Sequence, residues 1–354
     1  MFQKQDVMRR VVFSLVPLFL FATFLYGWRV VVTTALVFAL GIGTEYLFER
    51  NRKKKVSEAV LVTSALYALS LPPATPLWIA AIGIIFAVAV GKSIYGGFGR
   101  NIYNPAITGR LFVYLTFPTV LTTAWMVPAM VDIAGGLGLT NAFGTSGQIA
   151  VDTITAATPL AVMRTGEVPN LWNLFFGFRG GSMGESSTLL ILIAAVYLIR
   201  TKTANWKLIT STFGSALFFT VVFYFAGLIP GISPDTYSGT GHLIPIAAYM
   251  MSGSILFVAV FMATDPISGP NNPRAQWIYG FLIGGVSMTV RAFSVFPEGT
   301  SFGIMIGNTF ASLLDELLPR KKKKKKSKAA PKVAAAPPET ADAGKADAGK
   351  EVTA

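Results

Sequence analysis

Ten apolar segments follow one another in this 354-residue chain with little sequence between them, and that succession leaves few folds open. They cover residues 11–26, 30–48, 56–71, 77–94, 107–130, 186–199, 206–228, 243–263, 276–290 and 301–318. A water-soluble domain carries about 25% charged residues. This chain carries 13%, against 53% hydrophobic. The pattern predicts an all-α polytopic membrane protein with ten transmembrane helices. Several segments are shorter than the ~20 residues that cross a bilayer as a straight helix. Broken helices whose unwound backbone lines an internal site are therefore expected. An even number of spans puts both termini on one side, and basic residues say which. With both termini cytoplasmic, the inner segments before the tail hold fifteen Lys/Arg and the outer ones four. The first apolar stretch has no small-residue cleavage site behind it, so it is expected to remain as a span.

Four regions follow from this layout. Spans one to five occupy 1–130, a long outer-face loop 131–185, spans six to ten 186–318, and a Lys/Ala/Pro-rich cytoplasmic tail 319–354. Loops of such length are usually functional or disordered, and Trp172, Phe175, Phe176 and Phe178 predict a folded cap on the membrane surface. Ala65–Pro73 and Ile255–Pro266 each end a span at proline, and each precedes an Asn-Pro pair, Asn104-Pro105 and Asn272-Pro273. Two five-helix repeats would leave such an echo.

Of the net charge of +13, the tail contributes +7, including the run Lys321 to Lys326. That placement argues against nucleic acid and for a disordered segment touching anionic lipid. The chain has no cysteine and a single histidine, His242. Disulfides, thiolate-held iron–sulfur clusters, thiol catalysis, the usual structural zinc sites and bis-histidine haem are thereby excluded. Redox chemistry in this chain would require an organic cofactor.

The segment Asp152-Thr153-Ile154-Thr155-Ala156-Ala157-Thr158-Pro159 has two readings. As local structure, threonines beside an aspartate make an Asx turn or a helix N-cap, with Pro159 in the first helical position. The segment also resembles the Asp-x-x-(Ser/Thr)-(Gly/Ser)-Ala-Thr sequence of the NqrB/RnfD family. That family contains one membrane component of the Na+-translocating NADH:quinone reductase (NqrB) and one of the Rnf complex (RnfD). Further stretches resemble the family in order: Gly91-Lys92 with Gly96 through Ala106, Gly181 through Ser187, Met262 through Pro266, and Phe296 through Gly299. This chain has Ala156 where the family usually has Gly or Ser.

The resemblance implies a membrane flavoprotein subunit of a bacterial inner-membrane complex that couples electron transfer to Na+ movement. Thr158 would carry FMN through a phosphoester, with Thr155 and Asp152 the flanking positions read by the flavin transferase. Riboflavin is a second implied flavin. Other subunits, one with its own covalent FMN, are the implied partners and would supply NADH oxidation and any iron–sulfur transfer. Gly96, Gly97, Asn101 and Asn104 would form a quinone or second-flavin pocket. Read without the family, the Gly96–Gly99 cluster is a tight turn between spans. Ser182 and Glu185 would orient the flavin region, Glu185 alternatively capping the sixth span. Acids inside spans are costly and point to function, so Asp315 and Glu45 are candidates for an ion path, although Asp315 could simply pair with the following lysines. The NADH:quinone reductase assignment is preferred. The RnfD type, in a complex that reduces NAD+ from ferredoxin, is the alternative within the family. A secondary transporter or a non-catalytic assembly factor is the alternative outside a redox role.

Overall fold

The protein is described by a computed structural model over residues 2–126, 158–294 and 299–318. Most of the long outer loop, residues 295–298 and the lysine-rich tail lie outside the described residues. The described part is helical apart from one short parallel ladder, in which β1 (Phe2–Gln3) pairs with β2 (Val56–Ser57). The first half runs through α1 (Asp6–Tyr26), α2 (Trp28–Asn51), α3 (Ala59–Ser70), α4 (Leu77–Val88), α5 (Pro105–Thr116) and α6 (Pro118–Thr123). Two short helices, α7 (Pro159–Arg164) and α8 (Leu171–Phe176), precede the second half. That half consists of α9 (Thr188–Arg200), α10 (Trp206–Phe225), α11 (Leu243–Met251), α12 (Ile255–Phe257), α13 (Pro273–Phe293) and α14 (Gly299–Leu317).

Helical structure therefore falls in each of the ten apolar segments. Only α1, α2 and α10 are long and apolar enough, among the described residues, to cross a bilayer unaided. A fourth crossing results if the pair Gly239–Met251 and Ile255–Met262, bent by 63°, is one span. The short elements end where the sequence dictates. Leu71-Pro72-Pro73 stops α3, since the residue before a proline is pushed out of the α region. Gly27, at φ 73°, separates α1 from α2 and donates its N–H to Thr23 O, a conformation that suits glycine.

Small residues bring the long helices together. On α13, a Cβ at Gly280 would lie 2.6 Å from Ser211 Cβ, and one at Gly284 would lie 2.7 Å from the Ala216 backbone nitrogen. The hydroxyls of Ser211 and Ser215 on α10 donate to the carbonyls of Trp277 and Phe281 at 2.5 and 2.7 Å. A Cβ at Gly303 or Gly307 of α14 would likewise meet Ile283 of α13 at 2.7 Å. Where lipid surrounds helices, close backbone approach and hydroxyl-to-carbonyl bonds replace the hydrophobic drive.

One local motif occurs in both halves. The α4 helix widens into a π turn at Ala89–Ser93, and α12 does so at Val258–Met262. Each π turn leads through a loop to an asparagine that caps the next helix. Asn104 Oδ1 accepts from the N–H of Ala106 and Ile107 ahead of α5, and Asn272 Oδ1 accepts from Arg274 N–H ahead of α13. Proline follows both caps, in the position where its missing N–H costs nothing. The echo in the sequence thus corresponds to α4 and α12 with their π turns, rather than to the end of α3. The Asn104 amide donates to Met262 O at 3.5 Å and so ties the first cap to the second π turn.

Candidate functional site

The described residues singled out in the sequence fall into three places, with Asp315 apart from them. Thr158 is the N-cap of α7, with its hydroxyl oxygen accepting from Ala161 N–H at 3.3 Å and Pro159 in the first turn. It is half-buried. The helix it starts is held down by Arg164, which donates to Ser294 O at 2.7 Å. Asp152 and Thr155 lie outside the described residues. Beyond α7, the aromatic group shows an exposed face. Trp172 is 69% exposed and stacks on Phe176 at 5.9 Å, while Leu174 of the same helix is buried.

The second place is the turn from Gly177 to Ser187, which is buried among helices. The N–H groups of Met183 and Gly184 donate to Leu71 O and Leu69 O, at 3.2 and 2.7 Å. A Cβ at Gly184 would lie 2.7 Å from Leu69 Cβ, so only glycine fits there. Arg179 donates through Nε to Ser186 O at 3.0 Å and through a terminal nitrogen to Glu185 O at 2.5 Å. Ser182 N–H donates to Glu185 Oε1 at 2.8 Å, and Arg110 of α5 reaches the Ser182 hydroxyl at 3.4 Å. Ser182 and Glu185 are therefore in direct contact. Glu185 Oε2 is buried without a hydrogen-bond partner among the described residues. The side-chain bonds of Ser182 and Glu185 stay within the turn and α5, and the Thr158 bond stays within α7.

The third place lies between the two π turns, and the sequence indicates it only in part. A narrow inner cavity of about 60 Å³ is lined by Lys92, Phe98, Asn101, Asn104, Val260 and Asp265, among others. Beside it opens a wider vestibule of about 540 Å³, lined by Glu45, Glu49, Lys54, Ser57, Gly96 and Phe98. Phe98 borders both spaces. Its loop is built on Gly96, Gly97 and Gly99, at φ 114°, 91° and 87°, values that side chains strongly disfavour. Asn101 and Asn104 thus line the cavity and Gly96 the vestibule, whereas Gly97 packs against Glu49.

Lys92 lines the cavity and is bonded to Glu45 and Ser57 of the vestibule. Its Nζ lies 2.6 Å from Glu45 Oε2 and 2.7 Å from the Ser57 hydroxyl, and that hydroxyl donates to Glu45 Oε1 at 2.6 Å. The ammonium also sits 5.8 Å from the centre of the Phe98 ring. A lysine within an apolar run is as costly as an acid; applying that rule to bases as well as acids would have found it. Asp265 faces the cavity from the loop after the second π turn, accepting from the Ser268 hydroxyl at 2.8 Å. Burial pushes its carboxyl above the usual aspartate range, and the Ser268 bond opposes that. Asp315 is placed elsewhere: its two oxygens accept from the N–H groups of Asn271 and Asn272, at 2.7 and 2.8 Å. It clamps the start of α13, and neither bond involves a lysine.

Among the described residues no group of His, Cys, Asp and Glu is arranged to hold a metal ion. Comparison with known proteins adds the family. Residues 2–324 match the NQR2, RnfD, RnfE family. Similar proteins include the B-type subunit (NqrB) of the Na(+)-translocating NADH-quinone reductase of Chromohalobacter salexigens, 36% identical over 299 residues, which are 84% of this chain and 67% of that protein. The protein of the same name from Pseudomonas aeruginosa is 33% identical over 289 residues, covering 79% and 64% of the two chains. That from Pseudoalteromonas atlantica is 35% identical over 297 residues, covering 83% and 68%. The chain thus spans about two thirds of the length of these relatives. A match across nearly all of its helical part makes this chain a member of the NQR2, RnfD, RnfE family.

Proposed function

We propose that this chain is a membrane component of a Na+-translocating oxidoreductase of the NADH:quinone reductase type, carrying FMN on Thr158. Its relatives bear the name of the B-type subunit of that enzyme. The observation that carries the flavin reading is the state of the Thr158 hydroxyl. It is half-buried rather than sealed, and its oxygen serves as an acceptor, from Ala161 N–H. An ester oxygen keeps that role, so a phosphoester could form without breaking the cap. Such a flavin would supply one- and two-electron transfer while its ring stays free of the attachment. Asp152 and Thr155 are proposed as the flanking recognition residues.

The ten helical segments are read as ten spans with both termini cytoplasmic, in a bacterial inner membrane, and the recurring π turn and Asn cap support two five-helix repeats. In that orientation Thr158 faces outward, and the inner cavity and vestibule open toward the cytoplasm. Asn101, Asn104 and Lys92 offer the polar contacts that a quinone headgroup needs, with Val260 and its neighbours as apolar walls. At about 60 Å³ the cavity is narrow, so a ring would enter with Phe98 displaced. The same contacts would suit riboflavin. Of the two acids expected on an ion path, Glu45 is closed by Lys92 and Asp315 by two backbone N–H groups. Each would exchange its partner to hold Na+. The partners proposed are the remaining subunits of the complex, including a second one with covalent FMN.

The test is fluorescence of the denatured polypeptide on a gel after co-expression with a flavin transferase. A flavin band is expected from the natural sequence and from Thr158→Ser, and none from Thr158→Val. A band that survives in Thr158→Val would refute the attachment. Transfer of electrons from NADH to a soluble quinone by the assembled complex, as against reduction of NAD+ from ferredoxin, separates the two assignments within the family.

A further inference from the structure

The pair Glu45–Lys92 occupies the wall between two spaces of different character. Lys92 lines the narrow, largely apolar cavity, and Glu45 lines the wide vestibule, which also carries Glu49 and Lys54. Between them are a single bond of 2.6 Å and the bridging Ser57 hydroxyl. We propose that Glu45 and Lys92 form a proton relay that carries protons from vestibule water to a carbonyl compound being reduced in the inner cavity. The inference rests on the reading that this cavity takes a quinone.

The balance is simple. A quinone becomes a quinol by accepting two electrons, here from the flavin of the complex, and two protons. The Lys92 ammonium gives one proton to the reduced carbonyl oxygen and becomes a neutral amine. Glu45 takes a proton from vestibule water and passes it across the hydrogen bond to that amine. A second turn of the same relay delivers the second proton. Ser57, bonded to both partners, keeps the amine and the carboxylate in line. Each turn ends with the neutral ion pair restored; the single negative charge left when Lys92 gives up its proton lasts only until Glu45 takes one from the vestibule, which a low-dielectric setting demands.

Other charged groups surround the relay without completing a rival path. Glu49 is bound to Arg52 at 3.2 Å, and Asp265 to Ser268 at 2.8 Å. Neither is hydrogen-bonded to Lys92, whose side-chain bonds go to Glu45 and Ser57. Their charges do reach the Lys92 ammonium, so a pH profile of the relay would carry their influence.

The discriminating variant is Lys92→Arg in the assembled complex. Arginine keeps the charge and can keep the ion pair, but it does not release its proton. A structural pair predicts quinone reduction near the natural rate. The relay predicts a fall of about a hundredfold, the usual contribution of a positioned proton donor, measured relative to a one-electron acceptor that takes up no proton. If Lys92→Arg does not assemble, the neutral pair Glu45→Leu with Lys92→Met takes its place and is expected to show the same loss. A second readout does not depend on turnover. Redox-triggered infrared difference spectra of the natural complex should contain a carboxyl band that the neutral pair lacks. Equal rates and unchanged spectra in the variants would overturn the relay alone. Failure of the natural complex to reduce a soluble quinone would overturn the quinone reading as well.

Discussion

Lys92 Nζ stands 2.6 Å from Glu45 Oε2, and 2% of each side chain is exposed. The two residues are contributed by the π turn that ends α4 and by α2, and they tie the ends of these helices together across an apolar interior. Removing one charge from a buried pair leaves the other uncompensated, at a cost of about 3–5 kcal/mol. Glu45→Ala and Lys92→Ala should each lower the thermal unfolding temperature in detergent. The double variant Glu45→Leu with Lys92→Met should recover most of that loss. If the double variant is as unstable as the sum of the single ones, the pair is not what holds these helices.

The helix interface between α10 and α13 makes a sharper prediction about glycine. A Cβ at Gly284 would meet backbone atoms of Thr212 and Ala216, which cannot swing aside as a side chain can. Gly284→Leu should therefore destabilise by at least the ~1–3 kcal/mol of an overpacked core. Gly214 of α10 has nothing within 4 Å of such a Cβ. Gly214→Ala should be neutral or stabilise by up to about 1 kcal/mol, the helix-propensity difference. Denaturant titration of both variants, with the natural protein as reference, checks the contrast.

How far these features are legible in the sequence differs from residue to residue. The helices are readable because apolar runs and their Gly and Pro boundaries are local, and Asn104 and Asn272 announce themselves as caps through the proline that follows. The π turns are not readable, because one extra residue in a helical ladder leaves hydropathy unchanged. The contact between Glu45 and Lys92 spans 47 positions, and no local pattern carries a pairing at that distance. Asp315 suggests an ion ligand by its place near the end of a span, and the adjacent lysines suggest its partners. The lysines lie outside the described residues; its two backbone donors belong to the loop before α13, 43 and 44 positions away.

Glu58 fastens the start of the chain to the helical body. Arg9 donates to both of its oxygens, the closest approach being 2.5 Å, and Gln5 N–H adds a further bond at 2.6 Å. These bonds fix the beginning of α1 beside the ladder of β1 and β2. The Arg9 side chain is 44% exposed, so the ion pair is partly screened by solvent and its share is modest. The bond to Gln5 N–H needs only an acceptor. Arg9→Ala should therefore loosen the docking of β1 slightly, and Glu58→Ala, which also strips the Gln5 bond, should loosen it more. Amide exchange of Phe2 and Gln3 reads the order, and equal protection in the two variants would mean that the Gln5 bond contributes nothing.

Asp265 should make stability depend on pH. Burial beside the inner cavity raises its carboxyl above the ordinary value, so the folded protein binds this proton more tightly than the unfolded chain does. A group raised on folding contributes stability below its unfolded value, and that contribution is lost as pH rises through the folded one. Asp265→Asn keeps one oxygen to accept from the Ile267 N–H, and its amide nitrogen can donate to the Ser268 hydroxyl, which now donates to the other carboxylate oxygen. The variant should therefore match the natural protein at acidic pH and exceed it increasingly toward neutrality, as followed by thermal unfolding across a pH series. A gap that stays constant with pH would mean that the carboxyl is already as well solvated as in the unfolded chain, and that its place at the cavity costs nothing.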